Sequence, residues 1–260
     1  MPEYLAGKEA TAEQLNEWVE SFHANGFLVI HNVLAPELCQ HLKNDLDDIL
    51  KITEGEKYNP SRGMMKKRMF EHSQHNLNLF ALEPIVTFAE HLIGGANGAE
   101  YSMHDGIKNA NTVHVIHNNS FIVPPDTDGL AKNKWHQDDT PHVLSLDGKP
   151  LTNIRLNVLA FTVNYYLTFC DGDISEYEDQ VHSCLGAMGT AVCFNNQVWH
   201  RGSRNSSDVA RYITQVTYAK RLVGHKYESC MNYQMPSHCY EEADDRLKRL
   251  LGFLPKGAYS

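Results

Sequence analysis

Apolar positions along the chain follow two different rhythms. In the first hundred residues they recur at helical spacing. "TAEQLNEWVESFHANG" opens on Thr11, a suitable N-cap, carries Gln14 three residues on as a capping box requires, and ends at Gly26, a suitable C-cap. "APELCQHLKNDLDDILK" gathers Leu38, His41, Leu42, Leu46 and Leu50 near one helical face, with Pro36 in a tolerated first-turn position. "LFALEPIVTFAEHLIGG" predicts a third helix, interrupted near Pro84 and stopped by Gly94 and Gly95. Between the first two helices "FLVIHNVL", Phe27 to Leu34, is rich in β-formers and predicts a strand.

From Asn111 onward the apolar runs shorten to strand length: "TVHVIHNNSFIV", "IRLNVLAFTVNYYLTF", "GTAVCFNNQVW" and "ARYITQVTYAKR". Turn-rich "PPDTDGLAKN" and "SLDGKP" separate them, and no strand is followed by the helical stretch that builds parallel sheets. The pattern therefore predicts a mainly β fold with flanking helices, an antiparallel sandwich or jelly roll. One domain spanning 1–260 accommodates it: a mostly helical part over about 1–100, a jelly-roll core over about 101–225 and an extension over 226–260 that ends in a short helix.

Composition narrows the function. The net charge of −9 offers no broad positive field for phosphate backbones, so nucleic acid is not an expected partner and a small molecule is. No apolar run approaches the roughly 18 residues a membrane span needs, and "MPEYLAGKEATAEQ" lacks the pattern of an export signal, so no membrane association is expected. Six scattered cysteines without a C-x-x-C pair argue against a structural zinc site or a disulfide frame and for a reducing, cytoplasmic setting.

The chemistry concentrates in "KNKWHQDDTPH". In an extended segment, side chains two apart share a side, so His136 and Asp138 can address one ion while Gln137 turns away. "FNNQVWHRGSRN" supplies His200 at the end of a predicted strand, a second imidazole. Two imidazoles and a carboxylate on one face of a metal leave the other face open, as in non-haem Fe(II) oxygenases. Arg211 begins the next predicted strand, where a hairpin returns it near the ion. A buried arginine can clamp a carboxylate with two parallel hydrogen bonds.

"WHQDDTPH", "NNQVWHRGSRNSSDVAR" and "NGFLVIHNVLAPELCQHLKNDLD" together resemble the phytanoyl-CoA dioxygenase family of Fe(II)- and 2-oxoglutarate-dependent oxygenases, which includes ectoine hydroxylase. The similarity runs from about Asn25 to the C-terminal "LLGFLPKGAY". It implies a double-stranded β-helix, the cupin-like form of the jelly roll. It also implies that His136, Asp138 and His200 ligate iron, that Arg211 grips the distal carboxylate of 2-oxoglutarate, and that O2 is consumed with release of succinate and CO2. A polar residue on the preceding strand contacts the co-substrate in this family; "IHNNSF" offers His117, Asn118 or Asn119, with Asn119 favoured. Relatives place a serine two residues past the distal histidine, where this chain has Gly202 followed by Ser203. Family halogenases lack the carboxylate, so Asp138 implies oxygenation or desaturation rather than halogenation.

Asp139 alternates away from Asp138 and reads as a loop-capping group or one that supports a ligand from behind, while His142 suits a pocket mouth or the surface equally. Trp135 and Trp199 each precede a candidate ligand and are expected to pack beneath the site. Arg62, Lys66, Lys67 and Arg68 form a basic run, a solvated surface or, folded over the site, a reason to prefer an anionic substrate. Cys184 and Cys193 are expected in the core. The competing class of function is a non-oxidative cupin-like metal-binding module, or a hydrolase or isomerase using the same ligands for Lewis-acid chemistry, and Arg211 speaks against it. Family substrates range over acyl-CoA chains, amino-acid derivatives, phosphonates and the scaffolds of secondary metabolism. The residues do not choose among them, nor do they fix an oligomeric state.

Overall fold

The computed structural model describes residues 4–50, 64–94, 113–127, 135–138, 158–169, 181–220, 223–224 and 233–253. The first helix, α1 (Ala12–Asn25), starts and stops where the sequence predicts. Thr11 Oγ1 accepts from Gln14 N at 3.2 Å, Gln14 Oε1 accepts from Thr11 N at 2.9 Å, and Gly26 closes the helix at φ 79°. A Cβ at Gly26 would lie 2.5 Å from Val198 Cγ1, so the bare backbone also admits the Val198 side chain. β1 (Phe27–Ile30) is shorter than the predicted strand, because the chain turns through a left-handed Asn32 at φ 55°. α2 (Pro36–Leu50) buries Cys39, Leu42 and Leu46.

The sequence analysis missed β2 (Met64–Lys67) and α3 (Gln74–Asn78). "MMKK" has no strand periodicity of its own and is extended only by pairing with a neighbour, which composition cannot reveal. The expected helix at 79–95 is divided at Pro84: a single 3-10 turn covers Leu79–Ala81, and α4 (Ile85–Gly94) starts after the proline.

β3 (Val113–Val123), β4 (Ala160–Tyr166), β5 (Ala191–Asn195) and β6 (Arg211–Lys220) join the two short strands in one sheet of order β1-β5-β4-β6-β3-β2. Every pairing is antiparallel, as expected. The β3–β6 ladder ends at Val123–Arg211, but the same two chain segments meet again at Thr127–Asn205 and at His136–His200. Among the described residues the two segments thus pair at three places, an antiparallel ribbon that carries both histidines, as the winding of a double-stranded β-helix requires.

Alternation sorts the sheet into two faces. Leu28, Phe161, Val163, Tyr165, Cys193, Val216 and Tyr218 point to the helices and belong to the main core. There Phe22 of α1 and Phe88 of α4 meet Phe161 edge-on at 5.8 and 5.6 Å, and Tyr218 stacks on Phe161 at 5.5 Å. Val192, Tyr166 and Ile213 form a smaller cluster on the other face, with Cys184 packed against it half-buried. Cys193 is buried as expected; burial pushes its thiol up, and that of Cys39 up to about 12. Among the described residues no helix is long and apolar enough to cross a membrane.

α5 (Asp245–Leu250) is fastened to α4 by charge. Arg246 donates to Glu90 Oε2 at 2.7 Å, to Thr87 Oγ1 at 3.0 Å and to Glu83 Oε1 at 2.5 Å, and Arg249 pairs with Glu90 as well. Burial opposes ionisation of Glu90, but the two arginines outweigh it and hold its carboxyl below the ordinary value of 4.5. A depressed folded pKa contributes stability above 4.5, and that contribution is lost as pH falls through the folded value. Urea unfolding across this range should show an acid loss of stability that is shallower in Glu90→Gln than in the parent; equal slopes would remove Glu90 from the account.

Candidate metal centre

The ribbon fixes the centre before any ion is considered. His136 N–H donates to His200 O at 3.0 Å and His200 N–H donates to His136 O at 2.9 Å. The two residues thus sit opposite each other in a hydrogen-bonded antiparallel pair, with ring centroids 4.3 Å apart. Asp138, two positions along, lies on the same side as His136, as the alternation argument requires. Its two oxygens face one imidazole each: Oδ1 is 3.5 Å from His136 Nε2 and Oδ2 is 3.6 Å from His200 Nε2. One ligand atom from each of the three lies within 4.8 Å of the others. That spacing suits a common ion, and it is the only such group among the described residues.

The histidine frame is set by backbone atoms. His200 Nδ1 lies 3.0 Å from the Val198 carbonyl two residues earlier, to which it can donate, leaving the Nε2 lone pair for a ligand bond. The ring also tilts against Phe194 of β5 at 4.6 Å, a packing contact that limits its rotation. Burial pulls the His200 pKa down, yet the Asp138 carboxylate and the Val198 carbonyl together raise it above 6.5. Gln137 is half-buried and donates to Gln197 O at 2.5 Å, which ties the H-x-D segment to the facing segment at a third point.

Arg211 is buried at the start of β6. Nη1 donates to Ser203 O at 3.0 Å, with Ser203 Oγ at 3.4 Å, and Nη2 donates to Arg204 O at 3.0 Å. The turn between the two strands thus returns the guanidinium to the segment that follows His200. Ser203 touches Arg211 directly, although it stands one position beyond the place where relatives carry their serine.

The three candidates on β3 separate by face. Asn118 belongs to the helix side, where its Oδ1 accepts from Phe70 N at 2.8 Å and its Nδ2 donates to Gln215 O at 2.9 Å; it is a structural tie. Asn119 and His117 take the opposite face, paired in register with Gln215 and Thr217. Asn119 is buried, and its Oδ1 has no hydrogen-bond partner. The favoured candidate therefore stands on the site's side of the sheet.

Other expectations fare differently. Trp199 does not pack beneath the site: it is 65 % exposed, since a residue adjacent to an inward-facing His200 in an extended strand must face outward. Trp135 is half-buried and holds the Arg201 guanidinium over its ring at 5.3 Å. Lys66 and Lys67 lie on β2 at the sheet edge opposite Ser120 and Asn119, and Arg68 follows in a left-handed turn over Tyr233. Asp139, His142 and Arg62 lie outside the described residues. Sequence reasoning missed Phe194 and Val198, whose roles depend on a ring contact and a carbonyl direction that no spacing encodes.

The sequence pattern of the phytanoyl-CoA dioxygenase family runs through residues 22–168, more than half of the chain. The chain belongs to this family. The matched stretch contains His136 and Asp138 and stops short of His200 and Arg211, which are joined to it by the fold. No curated protein is significantly similar in sequence to this family member. Solved structures are similar in fold. HygX from Streptomyces hygroscopicus, solved with nickel and 2-oxoglutarate bound, matches with a TM-score of 0.59 at 13 % identity over 83 % of this chain and 89 % of its own. SnoK, a non-haem α-ketoglutarate-dependent carbocyclase of nogalamycin biosynthesis, matches with a TM-score of 0.57 at 15 % identity over 88 % of this chain and 95 % of its own. SnoN, an epimerase of the same biosynthesis, gives 0.54 at 14 % identity over 81 % and 84 %.

If the Asp138 carboxylate helps raise the His200 pKa, Asp138→Asn should leave the Val198 carbonyl alone against burial and lower that pKa in the metal-free protein. An imidazole NMR titration reads the shift directly; an unchanged midpoint would mean that the carboxylate and ring do not meet in solution.

Proposed function

We propose that the chain is an Fe(II)- and 2-oxoglutarate-dependent oxygenase acting on a C–H bond of a small metabolite. The observation that carries this reading is the convergence of two Nε2 atoms and one carboxylate on a single point, on a ribbon whose continuation brings buried Arg211 against Ser203. His136, Asp138 and His200 would hold the iron on one face, and their chemistry fits it: two neutral nitrogens and one anionic oxygen, with positions left for other ligands. Arg211 would receive the distal carboxylate of 2-oxoglutarate, a bidentate pairing that a lysine could not reproduce. Ser203, already beside the guanidinium, would add a hydroxyl contact, and Asn119 would supply an amide near the co-substrate. The family membership and the co-substrate bound in HygX support the same assignment.

When bound, iron with the co-substrate and O2 supplies an oxidant strong enough to remove hydrogen from an unactivated C–H bond, with succinate and CO2 as by-products. The protein's residues do the positioning. The paired backbones of His136 and His200 hold the two imidazoles at a fixed separation, Val198 O sets the tautomer of His200, and Phe194 covers one side of the ring. Arg211, anchored by the Ser203 and Arg204 carbonyls, is preorganised for an anion rather than recruited by it. Asp138 would take the place that family halogenases leave to a halide, which favours hydroxylation or desaturation over halogenation. A Lewis-acid module would have no use for the clamp at Arg211.

Anaerobic titration of Fe(II)-loaded protein with 2-oxoglutarate should produce the weak visible charge-transfer band of a chelated co-substrate. Arg211→Ala should raise the concentration needed by roughly a hundredfold, the loss of a charge-assisted bidentate pair of about 3 kcal/mol. Metal binding without any band would hand the site to the Lewis-acid reading. In aerobic turnover Asp138→Ala should abolish succinate formation, and a rate equal to the parent's would remove Asp138 from the ligand set.

A further inference from the structure

A cavity of about 300 Å³ is lined both by His200 and by Ser203, the residue whose carbonyl holds Arg211. A co-substrate reaching from the ion to Arg211 would cross this space, and Asn164 of β4 lines it too. Building on the oxygenase reading, we infer that Asn164 Nδ2 donates to the carboxylate next to the ketone of 2-oxoglutarate. Gln215 of β6 is the positioning residue that turns the amide that way.

Strand register makes the pair. Gln215 stands between Asn119 of β3 and Asn164 of β4, so three amides form one transverse row on the sheet face opposite the helices. Gln215 Nε2 donates to Asn164 Oδ1 at 2.8 Å. With Oδ1 engaged, the other end of the Asn164 amide is left to the cavity, and among the described residues Nδ2 has no partner. On the far side of Asn164 the row continues into Val192 of β5, which also lines the cavity and has no polar side-chain atom to compete for that donor.

Complementarity then chooses what Nδ2 meets. At neutral pH 2-oxoglutarate carries two carboxylates and a ketone, so it accepts hydrogen bonds and donates none. Arg211 answers the distal carboxylate. The other carboxylate leaves water as well, and it needs donors in exchange. Two amide side chains line the cavity among the described residues, and Asn25 spends its Nδ2 on Ser21 O at 2.9 Å. Asn119, at the other end of the row, turns its Nδ2 to Met65 Sδ at 3.9 Å and presents an unpaired Oδ1. Asn164 is thus the member of the row whose presented end is a donor. Half-buried over Val192, its bond to an anion would be only partly screened by water.

Anaerobic titration of the Fe(II)-loaded protein with 2-oxoglutarate, and with pyruvate, which keeps the α-keto acid but lacks the distal carboxylate, tests this through the visible band. Asn164→Ala should weaken both about tenfold, the scale of one hydrogen bond to a charged group, whereas Arg211→Ala should weaken 2-oxoglutarate alone. Asn164→Asp, of equal size but with an anion in place of the donor, should weaken both further. Gln215→Met, which keeps the bulk and loses the bond, should weaken 2-oxoglutarate by about threefold in the parent and leave it unchanged in Asn164→Ala, because it acts through that residue. In Asn164→Ala the band should also move to shorter wavelength, since a donor lost at the keto-acid end raises the ligand's acceptor orbital; a merely structural role would leave the band in place. Thermal melting confirms that each variant is folded. Indifference of 2-oxoglutarate to Asn164→Ala, an effect that spares pyruvate, or a Gln215→Met effect that is absent from the parent or persists in Asn164→Ala overturns the proposal while the parent's band keeps the oxygenase reading. A parent without any band overturns both.

Discussion

The hydrogen-bonded pair of His136 and His200 is the contact on which the rest of the centre depends. Two segments far apart in the chain are brought into antiparallel register by reciprocal N–H to carbonyl bonds, and everything else at the centre is placed relative to them. A slip of one residue in that register would turn one imidazole to the outside, because side-chain direction reverses at every step of an extended strand. The register is defended well away from the site, by the long β3–β6 ladder and by the Thr127–Asn205 bridge, where Asn205 Nδ2 donates to the carbonyls of Val123, Pro124 and Val209. The stiffness of the centre is therefore borrowed from backbone pairing on the sheet.

The sheet divides its labour by face. Its helix side is an aromatic and aliphatic core in which α1 and α4 bury Phe22 and Phe88 against Phe161, so the platform behind the site is dry and closely packed. Its other side keeps polar groups, among them Asn119, Asn164 and Gln215, with Gln215 Nε2 donating to Asn164 Oδ1 at 2.8 Å. Polar groups on that face are affordable only because they bond to one another or to whatever enters the fold. The chemistry thus stands on a rigid floor whose cost is met by the packing behind it.

Local rules recovered what local physics determines. The capping box of α1, its glycine stop, the four longer strands and the shared side of His136 and Asp138 all follow from spacings of a few residues, and each is where the sequence places it. Convergence of His200 on Asp138 was legible only as an ordered set of residue types, and the pairing that brings them together had to be seen in the ribbon. What escaped was non-local. β2 is a strand because β3 offers it a partner, Asn118 and Asn119 take opposite duties because of the face each receives, and Trp199 faces outward because its neighbour must face in. Composition holds no record of such choices.

Gly26 joins two of these stories. It ends α1 at a positive φ and leaves the gap into which Val198 fits, while the carbonyl of Val198 is the atom that orients His200. The end of a helix is thereby coupled, through one side chain, to the tautomer of a ring in the candidate metal centre. Exchanging N-terminal helices between family members would consequently be a change to the candidate centre, unless the junction keeps a residue without a side chain.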